Sequence, residues 1–109
     1  MDERTERIGR NEALFRDVNA RLEGLNETFA TFTETFEIVC ECGHAACTEQ
    51  LAVPTDVYGR VRADPALFMI VPQHVLPETE SVVERQDGFA IVRKDPGRPE
   101  EIAKATAPD

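Results

Sequence analysis

Three features of this 109-residue chain predict an α+β fold. An early segment repeats apolar residues at the helical period. The later part alternates short β-prone runs with proline and Asp-Gly punctuation. Between them, all three cysteines fall within the eight residues from Cys40 to Cys47. The expected architecture is an N-terminal amphipathic helix and a small, mainly antiparallel sheet whose hairpin tip carries the cysteines. One short inner helix and a C-terminal β-hairpin complete it.

Arg10 to Glu27 reads as the leading helix. Leu14, Val18, Leu22 and Leu25, spaced four, four and three, make one apolar stripe that Phe15 and Phe29 extend. The opposite face carries Glu12, Arg16, Asp17, Arg21 and Glu23. Gly24 weakens the end, so the helix is expected to stop near Asn26. Residues 1–9 are expected to be a flexible N-terminus.

Thr28 to Thr33 reads as a linker, because Phe29, Phe32 and Phe36 do not follow period two. A strand is expected over Thr35–Cys40, and a second over Thr48–Val53 after the cysteine turn. Thr55 reads as the N-cap of a short helix, Asp56–Ala63, that turns Val57, Tyr58 and Val61 inward and ends before Pro65. LFMIV, Leu67 to Val71, reads as a buried strand between prolines, with Pro72-Gln73-His74 as a loop. Glu80–Arg85 and Phe89–Lys94 read as a hairpin through Gln86-Asp87-Gly88. Pro96, Gly97 and Pro99 then break structure. The tail, 96–109, is expected to be a loose helical turn or disordered, leaving 10–95 as the single domain.

The formal net charge is −9, from 21 acidic and 12 basic residues. Such a surface repels phosphate, so nucleic acid and anionic membrane are not expected partners; a protein with a basic patch is. No apolar run reaches the ~20 residues of a membrane span, and MDERTERIGR lacks the apolar core of a signal peptide. A cytoplasmic protein is expected. There, an odd number of tightly spaced cysteines argues against a disulfide framework.

A metal fits the cysteines better. Zinc takes four soft or borderline ligands in a tetrahedron. Cys40 and Cys42 supply two thiolates from one bend, Gly43 is expected to give a positive φ that turns amides towards the sulfurs, and Cys47 adds a third sulfur. The result is a zinc-knuckle-like hairpin tip. His74 is the favoured fourth ligand because it approaches from another element without crowding; His44 is the alternative. With His74 as ligand, the strand ending at Val71 should finish at the same sheet edge as the strand ending at Cys40, running in the same direction. Iron is the less favoured metal, since thiolate clusters of iron and sulfur usually take four cysteines. Cysteines that only fill a core, and a Cys40/Cys42 redox pair, are the alternatives without metal. A catalytic zinc would need an open position and a base, for which Glu41 and Glu49 are merely close. The zinc-protease, deaminase, P-loop, dinucleotide and nucleophile-elbow motifs are absent.

Three stretches together resemble a family of small uncharacterised proteins common in actinobacteria: RNEALFRDVNARLEGLNETF, FEIVCECGHAACTEQLAV and RADPALFMIVPQHVLPETESVVER. The likeness rests on a leading N-E-x-x-F-R helix, a C-x-C-G-x-x-x-C segment and a P-x-H motif after an apolar strand. It covers Arg10 to Lys94. It implies no activity. It does imply that Cys40, Cys42 and Cys47 group with His74 rather than His44, in a freestanding zinc-binding domain.

Two classes of function follow. One is a non-enzymatic interaction or regulatory module held together by structural zinc, with Leu14, Phe15, Val18, Leu22 and Leu25 as the partner-binding helix face or as a homodimer seam. In the plainer version that stripe packs on the chain's own sheet. The other is a thiol-based redox sensor or a metal-dependent enzyme.

Overall fold

The computed structural model describes residues 3–29 and 35–107, with side chains for 3–24 and 35–107. The side chains of Leu25 and Phe29, and all of Phe32, lie outside the described residues. The fold is α+β. Its elements are α1 (Glu3–Phe29), β1 (Thr35–Val39), β2 (Gln50–Pro54), α2 (Thr55–Arg62) and β3 (Leu67–Ile70). A 3₁₀ turn (Pro72–His74), β4 (Glu80–Gln86), β5 (Phe89–Lys94) and α3 (Arg98–Ala105) follow.

The strands form two antiparallel sheets rather than one, β1–β2 and β3–β5–β4. β5 is central and buried on both faces, as its unbroken FAIV run requires. Phe89 and Ile91 meet Met69 on one face, where β1, β2 and α2 add Ile38, Val53, Tyr58 and Val61. Ala90 and Val92 meet Phe68 and Ile70 on the other, where Ala103 and two cysteines close a second core. The β4–β5 turn contains Gly88 at φ +84°, the left-handed geometry the Asp-Gly pair predicts.

Most boundaries that move do so by one residue, and β2 begins two residues later than expected. Thr55 is the first residue of α2, not its cap; Pro54 takes that place in extended geometry. The tail is corrected more strongly. Pro99 sits in the first turn of α3 and Glu100 and Glu101 follow it there, so the proline starts a helix instead of ending structure. Ile102 and Ala103 are buried. A Cβ on Gly9 would lie 2.6 Å from Ile102 Cγ2, so glycine in α1 is what lets α3 come this close.

α1 departs furthest from expectation. It begins at Glu3, so most of the segment expected to be flexible is helical, and Ile8 is a buried anchor. It runs to Phe29, taking in the start of the expected linker. Its inward face is Ile8, Glu12, Arg16 and Asn19, the polar side. Consecutive helical residues point about 100° apart, so burying Asn19 turns Val18 away from the core. Leu14 is 59% exposed, and Phe15, Val18 and Leu22 are half-buried. The stripe therefore does not form the helix's main packing face.

Polar residues tolerate burial only when their hydrogen bonds are met. Here most are met, at long range; among the described residues the buried Arg16 Nε and the Tyr58 hydroxyl find no hydrogen-bond partner. Lys94 Nζ donates to Glu12 Oε2 (2.8 Å), Glu80 Oε1 (2.9 Å) and Thr79 Oγ1 (3.0 Å). Arg16 donates to the carbonyls of Pro65 and Ala103, both at 2.9 Å, and to Thr106 Oγ1 at 2.8 Å. Its guanidinium also lies 4.8 Å over the Phe68 ring. Arg16 thus caps the C-terminal end of α3, where the helix dipole favours a cation. Among the described residues, no helix is long and apolar enough to cross a membrane.

One ammonium faces two carboxylates in the Lys94 cluster. Burial pushes Glu12 up to about 8, against the pull of Lys94, so near neutral pH it carries a proton. A carboxyl raised in the folded state stabilises the fold fully below its ordinary value of 4.5 and loses that contribution as pH rises towards about 8. Glu12→Gln removes this slope. By urea denaturation it should be the more stable protein at pH 9, by an amount on the order of a few kcal/mol, and have no advantage at pH 4.

Candidate metal centre

Cys40 directly follows β1, and Cys42 and Cys47 lie in the turn to β2. His74 ends the 3₁₀ turn after β3. The four ligand atoms lie within 4.8 Å of one another. A tetrahedral zinc with Zn–S of about 2.3 Å needs edges of about 3.8 Å, so small movements complete the shell. His74 Nδ1 is the nitrogen presented, 3.6 Å from Cys40 Sγ and 3.5 Å from Cys47 Sγ. His44 is exposed and outside the cluster; its ring lies edge-on to His74, with centroids 5.2 Å apart.

The carriers converge, but not by sharing a sheet edge. β1 and β3 lie in separate sheets, and hydrogen bonds join their ends. Glu41 N–H donates to the Met69 carbonyl at 2.9 Å, and Val71 N–H donates to Cys40 Sγ at 3.2 Å. The expected shared sheet edge is not needed, because these hydrogen bonds bridge the gap.

Each sulfur receives one backbone amide: Val71 to Cys40, His44 to Cys42 and Glu49 to Cys47. Such donors stabilise thiolates and orient them for a metal. The turn is tight, with Cys47 N–H on the His44 carbonyl and Cys40 N–H on the Glu49 carbonyl, both at 3.0 Å. Without a cation, three crowded thiols cannot all ionise. A hydrogen bond from Cys40 lowers Cys42 to about 5, while that bond and burial push Cys40 far up. Burial also raises Cys47. A dication removes the conflict by facing all three sulfurs at once.

Cys40 and Cys42 are buried and belong to the second core, so burial alone does not separate ligands from small hydrophobes. The imidazole aimed at the sulfurs does. Gly43 has a different role from the one expected. It has no positive φ; a Cβ there would lie 2.6 Å from Ile8 Cγ2 and 3.0 Å from Leu76 Cδ1. Glycine lets α1 press on the turn, where Asn11 Nδ2 donates to the Gly43 carbonyl at 2.9 Å.

Glu41 points away from the sulfurs into a buried polar site. Its Oε2 accepts from Arg62 (2.6 Å) and Asn19 (2.7 Å), and its Oε1 accepts from Met69 N–H (3.1 Å). Asn19 also pairs with Val39 like a strand, accepting its N–H and donating to its carbonyl, both at 2.8 Å. A carboxylate so occupied is not available as a general base. Asn11, Asn19 and Arg62 are the supporting residues that sequence reading misses. The only local hint is the i, i+4, i+7 spacing of Glu12, Arg16 and Asn19 on one helical face.

Compared with models of protein families, with curated proteins and with solved structures, the chain matches none. The family likeness therefore rests on the sequence motifs alone.

Glu41→Ala strands a largely buried arginine and leaves Met69 N–H without its acceptor. In zinc-saturated protein it should cost roughly 3–5 kcal/mol of unfolding free energy. The exposed control Glu49→Ala should cost no more than about 0.5 kcal/mol. Equal losses in the two variants would show that the buried carboxylate has no special structural role.

Proposed function

We propose that this chain is a small zinc-binding domain whose metal is structural and which acts as a non-enzymatic protein-interaction module. The observation that carries the reading is the convergence of three thiols and one imidazole from two separate segments. A Cys3His set fills a tetrahedron and leaves no position for substrate or water, the pattern of structural zinc. Three amide donors to sulfur fit thiolates that hold a permanent ion. The occupied carboxylate of Glu41 removes one of the two candidate bases, Glu41 and Glu49. Zinc is preferred to iron because imidazole with three thiolates suits it without added sulfide.

The metal would tie the β1–β2 turn to the end of β3, adding a cross-link to a core of modest size. The competing class, a thiol redox sensor or metal-dependent enzyme, needs an open coordination site or a reactive thiol.

Protein purified reduced should contain about one zinc per chain. His74→Ala should retain zinc at least roughly tenfold more weakly in a chelator competition. The cysteines should resist alkylation until a chelator is added, and chelation should lower the thermal midpoint. Undiminished zinc affinity in His74→Ala, or rapid selective alkylation of zinc-loaded protein, would favour the competing class.

A further inference from the structure

The polar face of α1 is spent on the domain's own core, which leaves Leu14 exposed and Phe15, Val18 and Leu22 half-buried. Phe15, Val18 and Leu22 are spaced three and four, as the a and d positions of a helix–helix seam are, and the sequence continues that spacing at Leu25 and Phe29. One flank of this seam is closed: Glu12 and Asn19, seven apart, are buried in the domain. The other flank is open. Arg7, Leu14 and Arg21, again seven apart, are exposed, with Arg10 and Asp17 beside them. From residue 3 to 21 the open side therefore carries three arginines and two acidic residues, Glu3 and Asp17. This is locally basic on a chain of net charge −9.

The charges discriminate between occupants. If a second copy paired antiparallel, open flank would meet open flank and arginine would face arginine, which costs binding energy. If it paired parallel, the open flank would meet the closed one, which the domain already covers. We infer that α1 docks an amphipathic helix of another protein, one whose flanking positions beside its apolar seam are acidic. This deepens the proposed interaction role and rests on it. It replaces the partner expected from overall charge, a protein with a basic patch, by one that is acidic beside its apolar seam. Helix-on-helix docking of this kind draws affinity from the a/d side chains and partner choice from the flanking charges.

The test uses full-length, zinc-loaded protein and two labelled three-heptad peptides with the same leucine seam, one flanked by glutamate and one by lysine. Fluorescence anisotropy at low salt should show the glutamate peptide binding about tenfold or more tightly than the lysine peptide. Raised salt should narrow the gap. Leu14→Asp, at an exposed position, should abolish binding of both, and Arg21→Glu should shrink or reverse the preference. Equal binding of the two peptides, or binding of neither, overturns the inference. So does sedimentation showing a dimer that Leu14→Asp dissociates. Zinc content is measured in the same samples. Lost peptide binding with zinc retained counts against this inference alone; absent zinc counts against the metal reading, while the peptide result still decides this one.

Discussion

The carboxylate of Glu41 accepts hydrogen bonds from three elements far apart in sequence: Asn19 on α1, Arg62 on α2 and the Met69 amide of β3. Glu41 stands between two of the three cysteines. Alternation along an extended chain sends its side chain to one side and those of Cys40 and Cys42 to the other. The same three residues therefore face a buried ionic site and a candidate metal site back to back. Fixing Glu41 fixes the thiols, and a metal across the thiols would hold the strand against the carboxylate's partners. Arg62 adds a second layer by stacking near Tyr58 and Phe68, at 5.5 and 5.9 Å.

This constraint accounts for the orientation of α1. Asn19 completes the pairing of Val39, Asn11 reads the carbonyl of Gly43, and Glu12 and Arg16 reach Lys94 and α3. Each is a directional contact that an apolar face could not make. Turning the leucine stripe inward would forfeit all of them and leave Lys94 buried beside Glu80 with fewer partners. Breaking buried polar groups in this way costs more than covering a few half-exposed apolar side chains returns. Leu14 is left exposed, and Phe15, Val18 and Leu22 half-buried.

Much of the fold is legible in the sequence because its signals are local. Asp87-Gly88 marks the hairpin, the proline-bounded LFMIV run marks β3, and period two or four marks most other elements. The cysteine spacing and the lone histidine after β3 point to the cluster without further help. What sequence reading misses depends on distant partners. The burial of Glu12 is decided by Lys94, 82 residues away, and that of Arg16 by Ala103, 87 residues away. Nothing near either residue announces it, and the apolar stripe announces the opposite. Pro99 is ambiguous in the same way: a proline ends one element and starts another, and only the docking of Ile102 against Gly9 decides which. Gly43 shows the converse, a glycine whose need is set by Ile8 on another element rather than by its own φ.

Three thiols and one imidazole, braced from behind by a buried carboxylate, make the cluster that the proposed structural zinc would close. X-ray absorption at the zinc edge, on protein purified reduced with its native metal, tests this most directly. The account predicts one zinc per chain with three sulfurs at about 2.3 Å and one nitrogen at about 2.0 Å. A shell with fewer than three sulfurs, or with a bound water oxygen in place of the histidine nitrogen, would contradict it.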